Sequence, residues 1–103
     1  VQEIVYMESF LRYLKIYHCS KEIYEVVGQI GREEQRLKAY GFIRSHHGYL
    51  VNARYIEYLK GTELVLNISD SETSDERLFL PVSRNKLQQT RQQYQQWLQQ
   101  QRS

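Results

Sequence analysis

Apolar side chains recur at every second position along much of this chain. That period of two constrains the fold most, because successive side chains point to opposite faces in a β-strand. The 9 tyrosines and the many Val, Ile and Leu residues favour strands as well. The pattern predicts strands at residues 3–8, 12–18, 22–26, 42–44, 55–59, 63–68 and 77–80. We expect the last two strands to pair antiparallel. The acidic, Ser/Thr-rich stretch 69–76 between them is predicted to be an exposed hairpin loop. Strand 12–18 carries apolar bulk on both faces, which predicts a sheet that is covered twice over part of its extent.

A helix is predicted between the third and fourth strands, over residues 28–40. There Ile30, Leu37 and Tyr40 fall near one face, and the charged residues lie mostly elsewhere. Gly41 provides a stop. This pattern is typical of a helix that packs on a sheet.

A second helix is predicted at the C-terminal end, after Pro81. Ser83 has the side chain of an N-cap, and the polar face that follows is mostly glutamine. The apolar residues of this helix are Leu87, Tyr94, Trp97 and Leu98. The chain is therefore predicted to be one mostly β domain, residues 1–103, with short helices: small antiparallel sheets plus a mid-chain helix and a C-terminal helix.

Composition excludes several classes of protein. With 41% apolar and 25% charged residues, the chain is neither disordered nor strongly biased. The longest apolar run covers only residues 4–7, so no transmembrane or secretory segment is expected. The one cysteine, Cys19, cannot form an internal disulfide, which favours a reducing, cytoplasmic setting. Because the chain opens with Val1 and a strand-like run, we expect a domain excised from a longer protein.

Charge is distributed unevenly along the chain. Residues 77–103 hold basic side chains and no acidic one, whereas residues 1–76 carry a net negative charge. Lys and Arg placed near phosphates gain free energy by releasing condensed counterions, so the basic end favours a polyanionic partner. A basic helix that is simply solvated explains the asymmetry equally well, and charge alone leaves both interpretations open.

The most distinctive stretch is FIRSHHGYLVN at residues 42–52, followed by ARYIEYLKG. It resembles the central signature of the LytTR family of bacterial DNA-binding domains. The residues that carry this resemblance are Phe42, Arg44, His46, Tyr49, Leu50, Val51, Asn52, Tyr55 and Ile56. The opening element with Ile4, Tyr6 and Glu8 and the closing motif from Leu80 to Arg84 are also similar to the family, in the right order. The resemblance covers roughly the whole chain.

This resemblance implies both a fold and a function. The family implies a mostly β fold in which short sheets pack side by side and loops reach into the DNA major groove. It also implies double-stranded DNA as the partner, as paired direct repeats bound by a homodimer, and an upstream receiver domain as in a two-component response regulator. The expected function is then transcriptional regulation. No cofactor, metal or membrane partner is expected.

The resemblance and the residue chemistry together predict the DNA contacts. Arg84 projects from a turn fixed by Pro81, and its guanidinium donors suit guanine or phosphate. We expect His47 to contact DNA. His46 is expected to fix its loop by hydrogen bonding, with a DNA contact as the alternative role. The other predicted contacts are Arg12, Tyr13 and Lys15 in the first turn, Asn85 and Lys86 after Arg84, and Arg44 and Arg54 to phosphate. Each of these side chains could instead be a solvated surface residue. Asn52 is expected to be structural.

Two positions depart from the family pattern. His47 stands where the family commonly has Arg, Lys or Asn, and a neutral histidine lacks the fork with which Arg grips guanine O6 and N7. Gly48 replaces a common Ser, which predicts a backbone conformation closed to Ser and a closer approach to phosphate. As neighbours on an extended segment, His46 and His47 should point to opposite sides.

Rival functions are less well supported. A Cys19/His18 catalytic dyad should fail because strand neighbours face opposite sides and no third orienting group is evident. A metal site from His18, His46 and His47 lacks helical spacing and thiolates. The serious alternative is a protein-interaction module whose Gln-rich helix or edge strand recruits a partner and whose basic surface is incidental.

Overall fold

The chain folds into two antiparallel sheets and two helices. In a computed structural model, residues 1–68 and 76–102 are described, so most of the predicted loop at 69–76 lies outside the described residues. The strands are β1 Ile4–Phe10, β2 Tyr13–His18, β3 Ile23–Val27, β4 Phe42–His46, β5 Tyr49–Asn52, β6 Ile56–Lys60, β7 Glu63–Asn67 and β8 Arg77–Pro81. The helices are α1 Ile30–Leu37 and α2 Leu87–Arg102, and 3-10 turns occupy Lys38–Tyr40, Ala53–Tyr55 and Arg84–Lys86.

Strand order places β1 at the centre of the larger sheet. This sheet has five strands in the order β3-β2-β1-β5-β4, and the smaller sheet has the order β6-β7-β8. Every neighbouring pair is antiparallel. In the smaller sheet Leu64 lies opposite Leu80, which confirms the predicted pairing of the strands on either side of the acidic stretch.

Both faces of the larger sheet are covered over part of its extent, as the sequence predicted, while the edge strand β3 is exposed. The neighbours Leu50 and Val51 are completely buried, yet they belong to different cores because adjacent residues on a strand point to opposite faces. Leu50 joins the core formed with α1, and Val51 joins the core that contains the smaller sheet and the apolar side of α2. The α1 core comprises Met7, Leu14, Ile30, Leu37, Phe42 and Leu50. The other core includes Val5, Tyr6, Ile43, Val51, Ile56, Leu64, Leu66, Leu80 and Val82.

Three local expectations need correction. Strand β4 continues to His46, and β5 at Tyr49–Asn52 was not predicted because both of its faces are buried and it shows no polar alternation. In α1, Ile30 and Leu37 are buried as expected, but Tyr40 is exposed because the chain tightens into a 3-10 turn after Leu37.

The predicted cap at Ser83 also takes a different form. Ser83 precedes a 3-10 turn and makes no side-chain cap bond, and α2 begins only at Leu87. The backbone N–H of Ser83 instead donates to the carbonyl of Ser45 at 2.8 Å. This residue therefore joins the helical end of the chain to β4.

No helix in the described parts of the chain is both long and apolar enough to cross a lipid bilayer.

Gly41 is required where α1 and its 3-10 turn end. Its φ is +86°, and a Cβ at this position would lie 2.7 Å from the Trp97 ring of α2. Gly61 also has a positive φ, +59°, but a Cβ there meets nothing within 4 Å. Replacing Gly61 would therefore strain only the backbone, whereas replacing Gly41 would also crowd the Trp97 ring.

We predict that Gly41→Ala lowers the free energy of unfolding more than Gly61→Ala does. Backbone strain alone should cost about 1 kcal/mol at either site, and the clash with Trp97 should add about 1 to 3 kcal/mol at Gly41. Urea unfolding of the two variants measures the difference. Equal losses would show that Trp97 is not packed against Gly41.

Candidate nucleic-acid interface

Three turns that sequence analysis singled out meet at one end of the larger sheet. The N–H of Ser9, at the end of β1, donates to the carbonyl of Gly48 in the β4–β5 turn at 2.8 Å. On the other side of that turn, the Ser45 carbonyl accepts the Ser83 N–H at 2.8 Å, and the Ser45 hydroxyl donates to the Pro81 carbonyl at 3.0 Å. The β1–β2 turn, the β4–β5 turn and the 3-10 turn Arg84–Lys86 are thereby tied together.

The first of these turns is tight and exposed. Leu11 takes a left-handed conformation with φ +57° and is 83% exposed. The Arg12 carbonyl accepts the Gly28 N–H at 3.1 Å, which fixes the turn against the segment that leads into α1. The Arg12 guanidinium lies 5.7 Å from the centroid of the Tyr13 ring. The Lys15 ammonium lies 4.9 Å from that of Phe10. Arg12, Tyr13 and Lys15 therefore belong to one cationic and aromatic surface.

The β4–β5 turn presents two histidines whose rings lie together. The Nδ1 of His46 accepts the Gly48 N–H at 3.1 Å, which is the loop-fixing hydrogen bond expected from the sequence. The ring centroids of His46 and His47 are 4.2 Å apart, so the expectation that they face opposite sides was wrong. The reason is that β4 ends at His46, and strand alternation does not continue into a turn. His47 itself is exposed.

Gly48 does not adopt the backbone conformation closed to Ser that the sequence predicted. It is not among the positive-φ glycines, and an added Cβ would lie at an ordinary 3.6 Å from His46 Nδ1. Its backbone has a different importance, because its N–H and its carbonyl bind His46 and Ser9 respectively.

Arg44 is engaged within the protein. Its Nη2 donates to the His47 carbonyl at 2.7 Å, its Nε to the His46 carbonyl at 3.3 Å, and its Nη1 to Glu34 Oε1 on α1 at 2.9 Å. The Arg44 side chain is only 18% exposed. The sequence suggested a phosphate contact for Arg44, and in the structure all three of its nitrogens donate hydrogen bonds within the protein.

The third turn carries the basic residues of the closing motif. Arg84 and Asn85 are exposed, Lys86 is half-buried, and the Lys86 N–H donates to the Ser83 carbonyl at 2.9 Å. Because Ser83 is bound to Ser45, these side chains begin next to the end of β4. The Ser83–Ser45 bond thus places the turn that carries Arg84 beside the strand that leads into the two histidines.

A cleft beside these turns adds a residue that sequence analysis missed. This open cleft of about 940 Å³ is lined by Arg12, Arg44 and His47 together with Arg32 of α1. Arg32 is exposed on the first turn of the helix. In the sequence it looked like one of several solvated charges on an amphipathic helix, and only the packing of α1 beside the turns distinguishes it.

Arg54 lies away from this end. It follows Asn52, whereas the β4–β5 turn precedes Tyr49 at the opposite end of β5. Asn52 is structural, as expected: it is buried, its Nδ2 donates to the Ile4 carbonyl at 2.9 Å, and its Oδ1 accepts the Arg54 N–H at 3.1 Å.

A carboxylate and two tyrosines reinforce the sheet behind the turns. Glu8 accepts hydrogen bonds from the hydroxyls of Tyr17 at 3.0 Å and Tyr49 at 2.9 Å. The pKa of both phenols is raised, mainly by burial and secondly by the hydrogen bond to Glu8. Both hydroxyls are therefore protonated and can donate at neutral pH. Glu8 thus links β2, β1 and β5 across the sheet.

The remaining reactive side chains form no catalytic arrangement in the described residues. Cys19 Sγ lies 3.9 Å from His18 Nδ1, so the expectation that the pair faces apart was wrong. That nitrogen already accepts the Ser20 N–H at 3.1 Å, so its lone pair is not free to take the thiol proton. Across residues 1–68 and 76–102, no group of three or more His, Cys, Asp or Glu side chains is placed to hold a metal ion.

We predict that His46 makes stability fall in mild acid. Burial lowers the pKa of His46 below the ordinary value of 6.5, and the nearby His47 and Arg44 lower it further. Below pH 6.5 the unfolded chain therefore takes up this proton more readily than the folded one, so stability declines as pH falls through the folded pKa.

The His46→Asn variant isolates this effect, because the amide oxygen of Asn can accept the Gly48 N–H without titrating. Urea unfolding from pH 7.5 to 5 should show a smaller loss of stability in the variant than in the wild type. Identical pH profiles would contradict a lowered pKa of His46 in the folded protein.

Comparisons with known proteins agree with this fold. Residues 1–95 match the family model of the LytTr DNA-binding domain. A solved LytTr DNA-binding domain of a putative methyl-accepting/DNA response regulator from Bacillus cereus superposes with a TM-score of 0.68 at 18% identity, over 89% of this chain and 81% of that one. No curated protein matches the sequence. Because the family model spans nearly the whole chain, the protein belongs to the LytTR family of DNA-binding domains.

Proposed function

We propose that this domain binds double-stranded DNA in a sequence-specific manner, with its turns in the major groove, and regulates transcription. The observation that carries the proposal is the convergence of three turns at one end of the sheet, tied by the Ser9–Gly48 and Ser45–Ser83 hydrogen bonds. Those turns hold the residues that the family resemblance marks for DNA. Family membership supports the same function.

Residue chemistry assigns a role to each turn. Arg84 has the planar fork that binds guanine O6 and N7 together, and it is exposed next to β4. His47 is exposed at the tip of its turn and offers one hydrogen bond to a base edge. The basic residues around them bind phosphate and set the register of the domain on the duplex: Arg12, Lys15, Arg32 and Lys86.

The proposal extends to the assembly and its control. We infer that two copies bind paired direct repeats, and that an upstream receiver domain controls them within the cytoplasm, as in a two-component response regulator. Binding as two copies to direct repeats rests on the family resemblance alone. The receiver domain has the further support of the solved domain of Bacillus cereus, which belongs to a putative methyl-accepting/DNA response regulator.

Selection from random duplex DNA tests the proposal. The purified domain should enrich one motif in two copies, and a duplex with both repeats should bind two protein molecules where a duplex with one repeat binds one. Affinity for the enriched duplex should fall linearly with salt on logarithmic axes, with a slope of about −0.9 for each phosphate contacted. Absence of any enriched motif would contradict sequence-specific binding by this domain.

A protein-interaction module is the second candidate, favoured by β3. This edge strand leaves large apolar side chains exposed, among them Ile23, Tyr24, Val26 and Val27. Exposed strand edges pair readily with other chains. A domain with that role alone would show neither an enriched motif nor a difference in affinity between enriched and scrambled duplexes.

We predict that Arg84→Ala weakens binding to the enriched duplex by about 1 to 3 kcal/mol and relaxes the preference at one base pair. Titration of duplexes with single base-pair changes measures both effects. Arg54→Ala is the matched control, because it removes the same charge away from the three turns. An equal loss on every duplex would reassign Arg84 to phosphate.

We predict that His47→Arg strengthens binding and changes the base preferred at one position. Arginine adds a permanent charge and a second donor to the single hydrogen bond that a neutral histidine provides. Repeating the selection with the variant measures the change. An unchanged motif would mean that His47 does not contact a base.

A further inference from the structure

The guanidinium of Arg44 joins two separate parts of the fold, the β4–β5 hairpin and α1. Two of its nitrogens bind the consecutive carbonyls of His46 and His47, at 3.3 and 2.7 Å, and the third binds Glu34 at 2.9 Å. Because Glu34 belongs to α1 and Arg44 to β4, this contact ties the helix to the turn that carries the histidines.

This arrangement depends on the shape of arginine. Its planar fork directs separate N–H groups to separate acceptors, which the single ammonium of lysine cannot do with the same fixed geometry. The Glu34 carboxylate offsets the positive charge, and both side chains are largely shielded, at 18% and 26% exposure. These bonds occupy three of the five N–H donors of the guanidinium, and its positive charge is already paired with Glu34.

The bonds act on the part of the turn that faces DNA. The His47 carbonyl held by Arg44 is joined to Gly48, whose N–H binds His46 Nδ1 and whose carbonyl binds Ser9. Releasing Arg44 therefore frees the backbone on which the His47 ring is mounted, while Arg84 and its turn keep their own bonds to β4.

We propose that Glu34 and Arg44 are positioning residues, which hold His47 in the orientation that reads a base without contacting DNA themselves. This inference rests on the proposed DNA-binding function. A direct phosphate contact by Arg44 is the competing role, and the two roles predict different ratios of specific to nonspecific affinity when Glu34 loses its charge.

Glu34→Gln is the deciding variant. It removes a negative charge next to Arg44 and weakens the hold on the guanidinium. If Arg44 positions the turn, the ratio of affinities for enriched and scrambled duplexes should fall by up to about tenfold, the worth of one hydrogen bond. If Arg44 binds phosphate, its release should strengthen binding to both duplexes equally and leave the ratio unchanged.

Glu33→Gln is the matched control. It makes the same change of charge on the neighbouring residue of α1 and breaks a different ion pair, the one between Glu33 and Arg36 at 2.7 Å. The control should leave the affinity ratio at the wild-type value. A fall as large as that of Glu34→Gln would overturn the proposal, because charge on α1 would then explain it.

Arg44→Lys and a measurement without DNA complete the test. Arg44→Lys keeps the charge and should lower the affinity ratio as Glu34→Gln does, whereas a wild-type affinity ratio would contradict positioning.

In the free protein, the Gly48 amide should exchange with solvent several-fold faster in Glu34→Gln than in Glu33→Gln, and equal rates would overturn the proposal. If the wild type shows no preference for any duplex, the proposed function fails, and amide exchange still decides whether the ion pair holds the turn.

Discussion

The antiparallel pairing of β1 with β5 is the contact on which the rest of the structure depends. It places Met7 opposite Leu50 and makes β1 the central strand of the larger sheet, between β2 and β5. Leu50 and Val51 then enter the two cores from opposite faces of the same strand. The same pairing places the β1–β2 turn beside the β4–β5 turn. Both the core and the candidate interface therefore depend on the β1–β5 pairing.

Hydrogen bonds at the end of that sheet fix the three turns relative to one another. Ser45 binds the Pro81 and Ser83 segment through both its hydroxyl and its carbonyl, and Gly48 binds Ser9. Ser45 is completely buried, so its hydroxyl must find a partner within the protein. The turn that carries Arg84 is therefore fixed to β4, which explains how residues distant in sequence can face one duplex together.

Local patterns predicted much of the fold. The alternating residues of β7 and β8, the apolar stripe of α1 and the stop at Gly41 depend on near neighbours, and all were predicted. Strand β5 escaped prediction because burial on both faces removes the alternation that marks a strand. The signature at residues 42–52 nonetheless identified the family.

The sequence indicated which residues belong to the candidate site, but it did not predict how their side chains are positioned. The sequence indicated the three turns, but it misplaced the rings of His46 and His47, because a turn obeys no alternation. It also missed the bond between Arg44 and Glu34 and the position of Arg32 in the cleft. These features depend on how α1 packs against the turns, which residue spacing along one chain does not specify.

The most direct test of the central claim is to map the DNA-bound surface by nuclear magnetic resonance. Amide signals of the isotope-labelled domain would be followed as an enriched duplex is added, with a scrambled duplex as control. If the three turns bind one duplex, the largest specific shifts should fall together on Leu11 and Arg12, on His47 and Gly48, and on Arg84–Lys86, with little change around Arg54. Shifts centred on β3, or on only one of the three turns, would contradict a single interface built from all three.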